Sequence, residues 1–128
     1  MTYDTSRTQE APEPVAEDSQ ACARGPILVV AGQVGVHPAT GRAAGDDVVT
    51  QTEQAMCNLG AILDAAGASW ADVVRMDCYL TSTDDLPGFN EVYARWFPPP
   101  DPPARTTVVV GLAAGLLVEV TALAVRAG

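Results

Sequence analysis

Basic residues are scarce in this chain. The 128 residues include 7 Lys and Arg against 16 Asp and Glu, which gives a formal net charge of −9 at pH 7. No stretch clusters basic with aromatic residues. Because nucleic acids and anionic membranes are bound mainly through positive charge on their phosphates, neither is an expected partner.

Cysteine, long apolar runs and common cofactor motifs are also scarce or absent. The three cysteines are far apart and not in CxxC spacing, which favours reduced thiols and excludes a disulfide framework or a zinc site. No run approaches the roughly 18 apolar residues of a membrane span, and no basic leader precedes one, so we expect a cytoplasmic protein. No GxSxG, Walker or GxGxxG pattern occurs, which disfavours a serine hydrolase, a nucleotide triphosphatase and a dinucleotide-dependent enzyme. We expect no metal site, because the single histidine, His37, has no Cys or acidic partner at ligand spacing.

The chain reads as one domain with an acidic N-terminal extension. Residues 1–18 are acidic and proline-containing and predict a flexible tail, whereas 19–128 predict a single domain. The patterns in that domain predict a strand at 26–31, a helix from 48 to a stop at Gly67, a strand at 73–81, a helix from 82 to Pro98, and strands at 106–110 and 116–125. Asp46 and Asp47 offer N-caps to the first helix. The apolar stripe of the second helix is expected to face the core and consists of Leu86, Phe89, Val92, Tyr93, Trp96 and Phe97.

This order, β-α-β-α-β-β, is typical of an α+β fold with two helices on one face of a sheet. In the last strand both faces are largely apolar, and two helices cover only one of them. Unless more of the same sheet closes the other face, we expect it to be buried by another copy of the chain. In the strand at 73–81, alternation places Val74, Met76, Cys78 and Leu80 on one face and Val73 on the other.

Two charges stand out in the C-terminal third. Arg105 opens an apolar strand, and Glu119 is the single charge between Arg105 and Arg126. A guanidinium grips a planar carboxylate through two parallel hydrogen bonds, so Arg105 is a candidate anion anchor. Glu119 could pair with Arg105 structurally, or it could orient and deprotonate a water beside a bound anion.

Short motifs across most of the chain resemble one known family. They are Ala-Gly-Gln-Val at 31–34, Thr-Gly at 40–41, Gln-Thr at 51–52, Gln-Ala-Met-Cys-Asn at 54–58, Ala-Gly at 66–67, Phe-Asn-Glu-Val-Tyr at 89–93, Pro-Ala-Arg-Thr at 103–106 and Val-Glu-Val at 118–120. In their order and spacing they are similar to the Rid (YjgF-type) reactive-intermediate deaminases.

That resemblance implies a chorismate-mutase-like fold of the bacillary type, assembled as a homotrimer with clefts between subunits. It implies cofactor-independent hydrolysis of a 2-imino or enamine acid to a 2-oxo acid and ammonia. Arg105 would bind the substrate carboxylate and Glu119 would position the water. Gly32, Asn90 and Thr107 would line the cleft.

The chain departs from the pattern of the best-known subgroup at three positions. Asp18 stands where a pocket-closing tyrosine is usual, Ala31 replaces a serine, and Thr107 replaces a cysteine. Asp18 is thus a candidate substrate-contacting residue. It leaves two alternatives open besides the small-substrate deaminase: a pathway-specific enzyme of secondary metabolism acting on a larger substrate, and a non-catalytic trimeric metabolite-binding protein.

Overall fold

The first helix forms between a side-chain cap and a glycine stop. In the computed structural model, which describes residues 3–127, α1 spans Val48–Ala65. The Asp47 carboxylate accepts a hydrogen bond from the Thr50 amide at 2.9 Å, which satisfies one free donor of the first turn. Gly67 has φ +75°, a conformation that glycine adopts without strain, and the helix ends there as its sequence predicts.

The second helix begins after a short 3₁₀ turn. The Ser82 hydroxyl accepts a hydrogen bond from the Asp84 amide at 3.1 Å, and the turn Thr83–Asp85 leads directly into α2, Leu86–Trp96. Pro98–Pro100 follow the helix and cannot continue it. Phe89, Val92 and Tyr93 are the buried residues of α2, as its apolar spacing predicts.

Six strands form one sheet in the order β1-β2-β3-β6-β4-β5. Their bounds are Asp4–Ser6 (β1), Ala21–Arg24 (β2), Ile27–Val34 (β3), Val73–Leu80 (β4), Ala104–Val109 (β5) and Val118–Val125 (β6). Only β4 and β5 run parallel among these pairs, and α2 forms the crossover between them. The two-helix, mixed-sheet α+β fold predicted from the sequence is confirmed.

The hydrophobic core lies between the helices and one face of the sheet. Four residues of β6 belong to this core and are nearly fully buried: Val118, Val120, Ala122 and Ala124. The opposite face, here called the open face, carries apolar side chains that stay partly exposed in the single chain. The most exposed of them are Ile27, Val29, Val108 and Val125, between 40% and 48% accessible.

One face prediction on β4 is wrong. Met76, Cys78 and Leu80 are buried as expected, but Val73 is buried too and Val74 is 47% exposed. The register against β6 shifts between Val73 and Arg75, which inserts an extra residue and reverses the alternation at that end.

The N-terminal segment differs from the predicted flexible tail. Residues 1 and 2 lie outside the described residues, but Asp4–Ser6 pair with Ala21–Ala23 as the edge strand β1. The buried Gln20 side chain holds the next stretch, since it accepts from the Thr8 amide at 2.7 Å and donates to the Pro12 carbonyl at 2.9 Å. Ala11 is buried beside it. Residues 7–20, here called the strap, are therefore held against the edge of the sheet.

Gln51 ties α1 to the loop before β6. Its fully buried amide donates to the carbonyls of Gly45 and Gly115 at 2.9 and 2.8 Å and accepts from the Leu117 amide at 2.8 Å. One side chain therefore makes hydrogen bonds to three backbone groups of two loops.

Replacing Gln51 with Leu should lower the free energy of unfolding by about 2–4 kcal/mol, because buried backbone groups lose their partners. Urea denaturation of wild type and variant measures this difference. Gln9→Leu, which removes an exposed amide, serves as the matched control and should change stability by less than about 0.5 kcal/mol. Equal effects in the two variants would contradict a structural role for Gln51.

Candidate functional site

The predicted site residues fall into two groups on opposite faces of the sheet. Arg105 lies opposite Met76, and Thr107 opposite Cys78, in the parallel β4–β5 pair. Directly paired residues of neighbouring strands share a face. Since Met76 and Cys78 point into the core, Arg105 and Thr107 stand on the helix-covered face, at the outer strand.

The guanidinium of Arg105 is fixed by two side chains. Its Nε donates to Thr107 Oγ1 at 2.8 Å, and its Nη2 donates to Asn90 Oδ1 at 2.7 Å. The sequence-predicted residues Arg105, Asn90 and Thr107 are thus brought together. Two of the five N–H donors of the guanidinium are used, and these two sit along one edge of the fork.

The outer end of the fork has no counter-charge. Among residues 3–127, no carboxylate lies within 4.0 Å of Arg105. Two donors on Nη1 and one on Nη2 therefore remain for a ligand. This is the end through which a guanidinium binds a carboxylate with two parallel hydrogen bonds.

Aromatic rings form the floor beneath this arginine. The Arg105 Cζ lies 4.7 Å from the ring centroid of Tyr93 and 5.2 Å from that of Phe89. Both rings come from α2, one turn apart, and both are buried. The sequence pattern marked them as core residues, and nothing in it linked them to Arg105, because that contact depends on how α2 packs against β5.

Glu119 lies on the open face, beside Gly32. In the sheet it pairs with Val34 on one side and Tyr79 on the other. A Cβ built on Gly32 would overlap Oε2 of Glu119 and lie 2.8 Å from its Cδ. A side chain at position 32 would therefore displace the Glu119 carboxylate from this position, so the structure brings the predicted residues Gly32 and Glu119 together.

Arg105 and Glu119 do not meet within one chain. They occupy strands separated by β4, about 10 Å apart at typical strand spacing, and their side chains point to opposite faces. The structural ion pair that the sequence left open is not formed within residues 3–127.

A cleft of about 490 Å³ lies on the Gly32 side of the sheet. Gly32, Ala31 and the strap residues Glu13 and Asp18 contribute to its wall, which includes no Lys, Arg or His. Asp18 is exposed, and Gln20, two residues later, is anchored in the strap. The structure therefore places Asp18 on the same cleft as Gly32, while Arg105, Asn90 and Thr107 lie elsewhere in the single chain.

A buried thiol lies next to the Arg105 group. Cys78 is fully buried, and burial raises the pKa of its thiol to about 12, although the nearby positive charge of Arg105 and a hydrogen bond with Thr107 act in the opposite direction. At neutral pH this cysteine is a protonated, apolar core group. Alternation along β4 predicts Cys78 on the same face as Met76 and Leu80. Nothing in the sequence indicates its position behind Thr107.

Within residues 3–127, no three His, Cys, Asp or Glu side chains come together as a potential metal site. No helix in the same range is long and apolar enough to cross a membrane.

The sequence profile described as endoribonuclease L-PSP matches residues 8–126 of this chain. The chain belongs to this Rid (YjgF-type) family. Relatives of known sequence agree. A RutC family protein of Pyrococcus horikoshii is 40% identical over 120 residues, which cover 93% of this Rid protein and 94% of that relative. Reactive Intermediate Deaminase A, chloroplastic, of Arabidopsis thaliana is 34% identical over 117 residues, covering 91% and 63% of the two chains.

Solved structures show the same fold. RidA from an Antarctic Psychrobacter bacterium superposes with a TM-score of 0.89 at 35% identity, covering 95% of this chain and 98% of that one. The E. coli protein TdcF, solved with bound serine, gives a TM-score of 0.91 at 32% identity, covering 97% and 99%. These relatives support a general reactive-intermediate deaminase role for the Rid protein described here.

Because its thiol is buried and protonated, Cys78 should resist alkylation by iodoacetamide at pH 8 in the native protein, whereas the exposed Cys57 reacts. Mass spectrometry of tryptic peptides locates the modified residue. In guanidinium chloride Cys78 should react as well, and Cys57→Ser provides the control that isolates its signal. Rapid native alkylation of Cys78 would contradict its placement behind Thr107.

Proposed function

We propose that this Rid protein hydrolyses 2-imino acids to 2-oxo acids and ammonia, with Arg105 as the carboxylate anchor and Glu119 as the group that handles water. The observation that carries the proposal is the outer end of the Arg105 fork. This end has no counter-charge within residues 3–127, while its other edge is held by Thr107 and Asn90. A small carboxylate fits those donors.

The proposed site is shared between two chains of a homotrimer. A 2-imino acid is too small to touch Arg105 and Glu119 of the same chain, because they stand on opposite faces of the sheet. Burial of the apolar open face against a neighbouring copy would bring the Glu119 side of one chain to the Arg105 side of another. Gly32, Asn90 and Thr107 would then line one composite cleft.

The proposed reaction needs one water and no cofactor. The carboxylate held by Arg105 fixes the imine carbon near Glu119, so the attack is oriented. The water oxygen bonds to the imine carbon, its proton passes to Glu119, and the C=N electron pair moves to nitrogen, which takes up a proton from solvent. Glu119 then returns its proton to the nitrogen, the C–N bond breaks, ammonia leaves, and the hydroxyl releases its proton to solvent as the C=O forms.

Two relatives support this chemistry. The Arabidopsis protein is named a reactive intermediate deaminase, and TdcF was solved with serine, a small molecule that carries a carboxylate. A ribonuclease role, which the descriptive name of the family suggests, is disfavoured for this chain because a net charge of −9 repels phosphate.

Arg105→Ala should lower kcat/KM for 2-iminopropanoate by about 30-fold or more, because a charge-assisted bidentate contact is lost. Glu119→Gln should lower kcat by about 100-fold or more, because the proton acceptor is lost. The substrate is generated from 2-aminoacrylate in situ, and ammonia and pyruvate are measured. Arg42→Ala, in an exposed loop, is the control. Wild-type protein that binds carboxylates without accelerating hydrolysis would instead favour the non-catalytic binding protein.

Mixing the two inactive variants tests whether the site is shared. After co-refolding at equal amounts, each interface draws Arg105 and Glu119 from different chains, so about a quarter of wild-type activity should return if the assembly is a closed ring. Each variant refolded alone is the control. A mixture that stays inactive would contradict the shared site, even if both single variants behave as expected.

A second candidate is hydrolysis or rearrangement of a larger substrate. The cleft of about 490 Å³ has room for more than a three-carbon acid, and its wall carries the Asp18 and Glu13 carboxylates. A carboxylate near a small anionic substrate is repulsive. On a larger substrate the same group could contact a polar or cationic portion instead.

Asp18→Tyr should raise kcat/KM for 2-iminopropanoate by about 5-fold or more, because it removes a repulsive charge near the substrate anion. Glu17→Tyr is the matched control. It removes the same charge one residue earlier, at a position that does not contribute to the cleft wall. Steady-state kinetics of both variants decide the question. An unchanged Asp18→Tyr enzyme would show that Asp18 does not set specificity.

A further inference from the structure

Three aromatic residues follow one face of α2 and the turn after it. Phe89, Tyr93 and Phe97 recur every four residues, with ring centroids 5.6 Å apart for the first pair and 5.0 Å for the second. All three are buried. Arg105 sits over the first two rings and closer to Tyr93. The row thus combines a core function with a contact to a charged group.

The hydroxyl group of Tyr93 makes no contribution that the contacts reveal. Its Oη is buried and has no hydrogen-bond partner within residues 3–127. Burial raises the pKa of Tyr93 to about 12, so the phenol stays neutral at working pH. A buried hydroxyl without a partner is a cost to the fold. What Tyr93 offers Arg105 is therefore the face of its ring.

We propose that Tyr93 is a positioning residue whose ring face holds the Arg105 guanidinium in the orientation that presents its outer end to a carboxylate. Thr107 and Asn90 fix one edge of the fork, and the Tyr93 ring lies beneath its Cζ at 4.7 Å. The role rests on the proposed function, because it concerns the anchor of that site. It assigns Tyr93 to substrate affinity rather than to proton transfer.

The physical reason lies in the freedom of an arginine side chain. Arginine has several rotatable bonds, and a ligand that must order them binds less tightly. The ring face attracts the cation and limits its motion before the carboxylate arrives. Weakening a contact that acts equally in the ground state and the transition state raises KM and leaves kcat nearly unchanged, and this is the pattern expected for loss of the ring.

The test compares three variants in the full-length protein. Tyr93→Phe keeps the ring and should keep KM within about twofold of wild type, whereas Tyr93→Met, with no ring, should raise KM by about 5- to 30-fold. Val92→Ala, a buried substitution on the same helix, controls for general loosening of α2. A KM increase in Val92→Ala as large as in Tyr93→Met, or a large increase in Tyr93→Phe, would overturn the proposal.

An NMR measurement keeps the test independent of turnover. The Arg105 Nε–H signal, identified as the one missing from Arg105→Lys, should be shifted upfield by the ring in wild type and Tyr93→Phe and return toward the ordinary arginine position in Tyr93→Met. Unshifted resonance in wild type would overturn the ring contact even if Tyr93→Met fails to fold. If the wild type shows the shift but neither hydrolyses imines nor binds carboxylates, the proposed function is refuted and the ring contact is not.

Discussion

The alternation of side chains across the sheet determines how this molecule can work. Successive residues of a strand face opposite sides, and both helices cover the same side. Arg105 is on the covered face and Glu119 on the open face, with β4 between their strands. In the proposed mechanism a single chain therefore presents two half-sites. The apolar open face, which the helices leave partly exposed, would supply the reason for a second copy to complete them.

Features with a local physical cause could be predicted from the sequence. The cap at Asp47 and the stop at Gly67 bound α1, and alternation correctly divided β6 between the core and the open face. The strands β1 and β2 were missed, because neither shows a clear alternation of apolar and polar residues. Backbone pairing stabilises them, since β1 pairs with β2 and β2 pairs with β3. Such pairing depends on partners distant in sequence.

The candidate site divides in the same way. Arg105 and Glu119 were identifiable because a charge in an apolar strand needs a partner or a use. Their separation was not, because the face of Arg105 depends on the parallel register of β5 against β4. Tyr93 had a sufficient explanation as a core residue, so its contact with Arg105 became visible only when α2 packed on β5.

An acidic protein that binds an anion must rely on local contacts. The net charge of −9 opposes the approach of a carboxylate at long range. What favours it is one guanidinium whose outer donors have no counter-charge within residues 3–127, whose other edge is held by Thr107 and Asn90, and whose Cζ lies over an aromatic ring. Each feature lowers the free-energy cost of ordering and desolvating these groups when a ligand binds. In the proposed site the acidic strap near Asp18 would then set which substrates tolerate the remaining repulsion, so affinity and specificity would come from different parts of the fold.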